Sequence, residues 1–149
     1  MCLYPNSLSM KTILLIEDNK DILENLTEFF EMEGYRILIA SNGKQGVEIA
    51  RESIPDLIVC DVLMPEMDGH EVLSHLLETA KTHQIPFIFS TSMSERVDRT
   101  EALKLGADDY IIKPFEPESL LKIAKFWIAS GSQRNQLPAF GMEALPGST

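Results

Sequence analysis

A regular alternation of short apolar runs with segments of helical periodicity constrains the fold more than any other feature of this sequence. The first run, residues 13–16, is aliphatic and is followed by the polar residues 17–19, which is typical of a strand buried on both faces. Apolar residues then recur at helical spacing over 22–30, and Gly34 stands where a left-handed helix cap is expected. The pattern therefore predicts a strand followed by a helix of about three turns.

The same pairing of strand and helix recurs along the rest of the chain. Strands are predicted over residues 13–16, 36–40, 57–60, 86–90 and 109–112. Helices are predicted over residues 22–30, from 43 to Pro55, around 72–77, over 95–105, and from Pro117 to about 129. Because parallel neighbouring strands need a crossover connection, this order predicts a doubly wound α/β fold, with a five-stranded parallel sheet and five helices on its two faces.

Length and local composition predict the domain organisation. A chain of 149 residues fits one core. Residues 11–129 are predicted to form that domain, after an N-terminal extension at 1–10 in which Met10 is an alternative start. Residues 130–149 carry Arg134 and Glu143 as their only charged side chains, which predicts a flexible tail or the remnant of a severed linker.

The charge and the hydropathy pattern exclude several partners. A formal net charge of −10 argues against direct binding to nucleic acid or to an anionic membrane surface, because no basic cluster offsets phosphate repulsion. The sequence has neither an apolar window long enough to span a bilayer nor a signal peptide, so a cytoplasmic location is predicted. Cys60 sits in an apolar run far from Cys2 and is interpreted as a small buried hydrophobe.

Five polar residues stand at the carboxyl ends of the predicted strands. They are Glu17, Asp18, Asp61, Thr91 and Lys113. In an open parallel sheet the functional site lies beyond those strand ends, near the switch in strand order. These five side chains are therefore predicted to share one site.

Three of them are acids, and their convergence predicts a magnesium site. Each acid alone could merely cap the following helix, as Asp18 could for the helix that includes Ile22. Three carboxylates on one rim would repel one another without a cation, whereas a hard divalent ion with oxygen ligands neutralises them. Asp61 then offers one oxygen to the metal and the other as a nucleophile toward phosphorus.

The remaining two residues fit the same chemistry. Lys113 ends a buried strand and precedes Pro114, which holds its backbone extended. Its ammonium is therefore predicted to pair with Asp61 or with a phosphoryl oxygen. Thr91 would donate its hydroxyl to the same phosphoryl group.

Residues 11–129, which include these five site residues, closely resemble a response regulator receiver domain. The chain is predicted to be a receiver domain that stands alone, without an output domain. The resemblance rests on motifs that coincide with the predicted strand ends. These are Ile-Glu-Asp-Asn at 16–19, Asp61 with Met-Pro-Glu-Met-Asp-Gly at 64–69, Thr91, Gly-Ala-Asp-Asp-Tyr at 106–110, and Lys-Pro-Phe at 113–115. It implies the flavodoxin-like, chemotaxis-regulator-like strand order 2-1-3-4-5.

The resemblance implies a phosphorylation-dependent signalling switch. Glu17, Asp18, Asp61 and the carbonyl of Leu63 would bind Mg2+. Asp61 would accept a phosphoryl group from a histidine kinase, or from a phosphotransfer protein in a phosphorelay.

It also implies how the signal leaves the domain. Thr91 and Lys113 would sense the phosphoryl group, and Tyr110 would rotate inward behind Thr91. That movement would reshape the face formed by the fourth predicted helix, the fifth strand and the last helix, to which an unidentified effector protein would bind. Ser92 stands where the family usually has alanine, and because both side chains are small, access to the phosphoryl group should be kept.

Two other classes of function are open to such a chain. A phosphohydrolase with an aspartyl nucleophile would have a second aspartate two positions after the first, but Leu63 stands there and cannot transfer a proton. A docking module independent of phosphorylation would not need all five site residues. We therefore predict that the chain is no enzyme on external substrates and catalyses only its own phosphotransfer and slow dephosphorylation. By the resemblance, Leu63 and Met93 border the path of the hydrolytic water and cannot orient it.

Overall fold

The computed structural model describes residues 10–92 and 99–136, and within them five parallel strands form one sheet in the order β2-β1-β3-β4-β5. The strands are β1 (Thr12–Ile16), β2 (Arg36–Ala40), β3 (Leu57–Asp61), β4 (Phe87–Ser92) and β5 (Asp109–Lys113). The doubly wound α/β fold and its strand order are therefore confirmed.

Helices connect these strands and cover both faces of the sheet. They are α1 (Lys20–Met32), α2 (Gly43–Ser53), α3 (Gly69–Leu76), the four-residue α4 (Ala80–His83), α5 (Arg99–Lys104) and α6 (Pro117–Ser130). The five-helix prediction did not include α4, because one turn is too short to carry a periodic apolar pattern. α5 is the described part of the fourth predicted helix. None of the described helices is both long and apolar enough to cross a bilayer.

Two clusters of buried side chains form the core, one on each face of the sheet. Successive residues of β1 alternate between them, with Leu14 in one cluster and Leu15 in the other. The first cluster packs α2, α3 and α5 against the sheet, and the second packs α1 and α6 against the opposite face. β3 lies between β1 and β4 with all of its residues buried, so Asp61 ends the most deeply buried strand.

Strand register brings the predicted site residues to one edge. Asp61 on β3 is opposite Ser90 on β4, and Ser92 on β4 is opposite Lys113 on β5. β4 and β5 extend to Ser92 and Lys113, past the predicted ends at 90 and 112, because ladder pairing between the two strands continues there. Thr91 thus lies within a strand, next to the end of β3.

The described part of the C-terminal segment continues past residue 129, the predicted end of the domain. α6 ends at Ser130, and a 3-10 helix follows over Gln133–Gln136. Ser132 is fully buried, and its hydroxyl donates a hydrogen bond to Asp108 (2.9 Å). Polar contacts rather than an apolar core hold residues 132–134, and composition does not indicate such contacts. Residues 137–149 of the tail predicted at 130–149, and residues 1–9 of the extension predicted at 1–10, lie outside the described residues, and what was predicted for them stays a prediction.

Candidate functional site

The carboxyl ends of β1 and β3 bring three acids together. Glu17 and Asp61 are buried, Asp18 is exposed, and one carboxylate oxygen of each lies within 4.8 Å of the others. Glu17 and Asp18 directly follow β1, and Asp61 ends the neighbouring strand β3. The predicted convergence of these acids is therefore present, and the sheet topology produces it.

Lys113 lies between two of these acids. Its Nζ is 2.8 Å from Glu17 Oε1 and 3.1 Å from Asp61 Oδ1, and its side chain is 19% exposed. Burial lowers the pKa of Lys113, but the hydrogen bond and charge of Glu17, with those of Asp61, outweigh burial and raise this pKa above its ordinary value. The ammonium therefore stays charged and offsets part of the repulsion among the acids.

The contact of Lys113 with Asp61 agrees with the sequence prediction, but the shorter contact with Glu17 was missed. No local sequence signal indicates the Glu17 contact, because β1 and β5 are not neighbours in the sheet. The strand order itself could have indicated this contact, because it places Glu17, after β1, and Lys113, at the end of β5, on opposite sides of the end of β3.

The helix that follows β1 does not use Asp18 as its cap. Asn19 is the N-cap residue of α1, and its Oδ1 accepts a hydrogen bond from the Ile22 backbone N–H (3.1 Å). The Asn19 N–H donates to Glu17 Oε2 (3.0 Å), which holds that carboxylate while its other oxygen contacts Lys113. Asp18 is left exposed with its carboxylate in the acidic cluster, so the capping alternative for Asp18 is wrong.

Backbone contacts hold the loop after β3 close to Asp61. The Val62 N–H donates to the Ser90 carbonyl (3.1 Å), and the Gly69 N–H donates to the Val62 carbonyl (2.7 Å). Gly69 approaches this turn so closely that a Cβ built on it would overlap the Asp61 carbonyl oxygen. Leu63 is 59% exposed, and the role of its carbonyl as a magnesium ligand stays a prediction.

Thr91 and Tyr110, the two predicted switch residues, lie on adjacent strands. Thr91 is 1% exposed, and its hydroxyl donates to the Ser92 carbonyl at 3.3 Å. Tyr110 is half-buried against the core cluster that includes α3 and α5. The predicted movements of these two residues stay predictions, and Met93 lies outside the described residues.

Cys60 precedes Asp61 and is fully buried, with its S–H donating to the Asp61 carbonyl (3.2 Å). Burial raises the pKa of this thiol well above its ordinary value, and the charges of Asp61 and Glu17 raise it further. A thiol that stays protonated is a poor nucleophile and a poor metal ligand. The interpretation of Cys60 as a buried hydrophobe is therefore confirmed.

The donor set fits a hard divalent cation. Carboxylate oxygens are the ligands that Mg2+ prefers, and Mg2+ usually keeps several waters, for which the exposed Asp18 leaves room. Three carboxylates and one ammonium leave the site negatively charged, so a divalent cation is favoured there electrostatically. Glu17, Asp18 and Asp61 are the residues that would hold it.

Comparison with known sequences identifies relatives that share this region. The family model described as the response regulator receiver domain matches residues 13–125. The transcriptional regulatory protein CpxR of Escherichia coli K12 is 39% identical over 112 residues, which are 75% of this chain and 47% of CpxR. The chain therefore spans about half the length of this curated relative.

Solved structures share the whole fold. A putative response regulator from Chloroflexus aurantiacus J-10-fl has a TM-score of 0.75 at 27% identity, over 81% of this chain and 99% of the other. The receiver domain of the sensor histidine kinase PA1611 from Pseudomonas aeruginosa PAO1 has a TM-score of 0.70 at 29% identity, over 81% of this chain and 99% of that one. That structure has a magnesium ion coordinated in its active site cleft.

Proposed function

Because the chain belongs to the response regulator receiver domain family, we propose that Asp61 accepts a phosphoryl group from a histidine kinase or a phosphotransfer protein. Phosphorylation-based signalling is the function of this family. The observation that carries the proposal is the position of Asp61 at the end of the central strand. Its carboxylate lies within 4.8 Å of those of Glu17 and Asp18, and Lys113 Nζ is 3.1 Å from its Oδ1.

The side chains around Asp61 fit this chemistry. One Asp61 oxygen would form the new bond to phosphorus as the bond to the donor breaks, which gives an aspartyl phosphate. Mg2+ bound by Glu17, Asp18 and Asp61 would supply charge neutralisation. Lys113 is close enough to contact a phosphoryl oxygen on Asp61. Thr91 could exchange its long bond to the Ser92 carbonyl for a bond to the same group.

The direct test is incubation with acetyl phosphate and magnesium, followed by measurement of the intact mass. A phosphorylation switch should gain one phosphoryl group and hold it. A phosphohydrolase would release phosphate without a lasting gain of mass, and a docking module would gain nothing.

We also propose how the signal is passed on. An effector protein would bind the face formed by α5, β5 and α6, and the chain would not act on external phosphoesters, since Leu63 cannot serve as a general acid. Direct binding to nucleic acid is not expected at a net charge of −10. The cytoplasmic location stays a prediction.

Magnesium should stabilise the folded domain, because it binds the native acidic cluster and not the unfolded chain. At 100 times the dissociation constant the stabilisation is about 2.7 kcal/mol, a rise in melting temperature of several degrees. Asp18→Ala should abolish the rise, whereas Asp21→Ala, which removes an exposed acid from the first turn of α1, should keep it. An unchanged wild-type melting curve at millimolar magnesium would count against the site.

Self-dephosphorylation should be slow, because Leu63 and Met93, which by the family resemblance border the path of the hydrolytic water, cannot orient that water. Leu63→Asn/Met93→Glu should shorten the lifetime of the phosphorylated species by up to roughly 100-fold, the scale of effect that positioning a reactant has. A phosphate-affinity gel would follow the decay. Met32→Asn, at an exposed apolar residue of α1, should decay like the wild type. Equal decay in the wild type and the double mutant would contradict the role given to these side chains.

A further inference from the structure

Residues 132–134, which we call the C-terminal clasp, bind loops at the end of the sheet opposite the acidic site. Arg134 is 11% exposed in its side chain, and each of its guanidinium nitrogens donates to another segment. Nε and Nη2 donate to the His83 carbonyl (3.1 and 3.0 Å), Nη2 also donates to the Ile85 carbonyl (2.6 Å), and Nη1 donates to the Gly106 carbonyl. All three guanidinium nitrogens of Arg134 therefore donate hydrogen bonds to acceptors within the domain.

A buried carboxylate completes the clasp. Asp108 has no exposed surface, and its Oδ1 accepts from the Ser132 hydroxyl (2.9 Å) and the Gln133 N–H (2.8 Å). Its Oδ2 accepts from the Phe87 N–H (2.9 Å) and lies 3.3 Å from Arg134 Nη1. Burial lowers the pKa of Arg134 and the charge of Asp108 opposes that change, so the two buried charges depend on each other.

The clasp connects the start of β4 to the loop between α5 and β5. That loop is continuous with α5, since the Gly106 N–H donates to the Leu103 carbonyl (3.0 Å) and the Ala107 N–H donates to the Ala102 carbonyl (3.1 Å). A guanidinium is planar, with donors in fixed directions. Arg134 therefore holds the loop that follows α5, through Gly106 and Asp108, against the segment that precedes β4.

We propose that the C-terminal clasp is a conformational latch that couples the position of α5 to residues 132–134, which follow α6. The latch is closed in the unphosphorylated domain and opens when phosphorylation of Asp61 displaces α5 and β5. This inference rests on the proposed function, because it needs a phosphoryl group on Asp61. By thermodynamic reciprocity, a change that opens the clasp must favour the phosphorylated packing by the same factor.

Hydrogen exchange in the full chain tests the first half of the proposal. The Gln133 amide is bonded to Asp108 (2.8 Å) and the Arg134 amide to the Ser132 hydroxyl (3.0 Å), so both should be protected without phosphodonor. Acetyl phosphate with magnesium should accelerate their exchange by about 5- to 150-fold, the usual range of coupling between sites. Asp61→Asn should show no acceleration.

The intact mass of the same sample separates the two proposals. A gain of one phosphoryl group with unchanged exchange at both amides would overturn the latch and leave the proposed function standing. No gain of mass would overturn both.

Binding of beryllium fluoride with magnesium, a reversible phosphoryl mimic, tests the reciprocal half. Arg134→Met opens the clasp and should tighten this binding severalfold. Arg51→Met removes an exposed arginine that also contacts a carbonyl, that of His75 (3.4 Å), and should bind like the wild type. If Arg134→Met fails to fold, Ser132→Ala, which removes one hydrogen bond to Asp108, should shift the affinity in the same direction by less. Wild-type affinity in the folded clasp variants would overturn the latch.

Discussion

Asp61→Asn is expected to abolish phosphorylation completely, with no mass gained from acetyl phosphate and magnesium. The asparagine amide keeps the shape of the side chain but lacks the anionic oxygen that attacks phosphorus. The fold should survive, because Lys113 keeps its shorter contact with Glu17 (2.8 Å) and the acidic cluster loses one repelling charge. Intact-mass spectrometry and a melting curve on the same preparation give both results.

Asp21→Asn is the matched control for this substitution. It makes the same chemical change at an acid in the first turn of α1, outside the acidic cluster, and should be phosphorylated like the wild type. A full mass gain in Asp61→Asn would show that another residue accepts the phosphoryl group and would contradict the proposal for Asp61.

Gly69→Ala is expected to have the second largest effect, on stability and phosphorylation together. The added Cβ would overlap the Asp61 carbonyl oxygen and lie 3.0 Å from Val62 Cα. These neighbours are backbone atoms, so no side-chain rotation can relieve the overlap. Overpacking of this kind costs about 1–3 kcal/mol, and moving Asp61 by about 1 Å should slow phosphorylation on the order of 100-fold. Urea unfolding and the rate of mass gain measure the two effects.

Gly34→Ala separates loss of stability from displacement of Asp61. Gly34 has a φ of +97° with nothing within 4 Å of an added Cβ, so alanine there is strained but does not collide. It should lose roughly 1–2 kcal/mol of stability and be phosphorylated at the wild-type rate. A wild-type rate in Gly69→Ala would show that the loop can relax without moving Asp61.

The strands, their parallel arrangement and the main site could be predicted from the sequence because each has a local signature. Four-residue apolar runs that stop at polar residues predicted β1 and β3, and the sheet then required their carboxyl ends to meet at one edge. Glu17, Asp18 and Asp61 lie together at this edge. Their convergence could be predicted because it depends only on which residues end or follow each strand. The same reasoning could not find α4, a single turn without periodicity.

Only the tertiary structure decided which polar groups are partners. Asn19 rather than Asp18 caps α1, although both types of side chain are good caps. Lys113 contacts Glu17 across two intervening strands, and Arg134 binds the His83 carbonyl 51 residues earlier in the chain. A local sequence pattern reports burial and periodicity. A hydrogen bond or ion pair instead requires two groups to meet at about 3 Å with the right direction, and that condition exists only once distant segments are packed together.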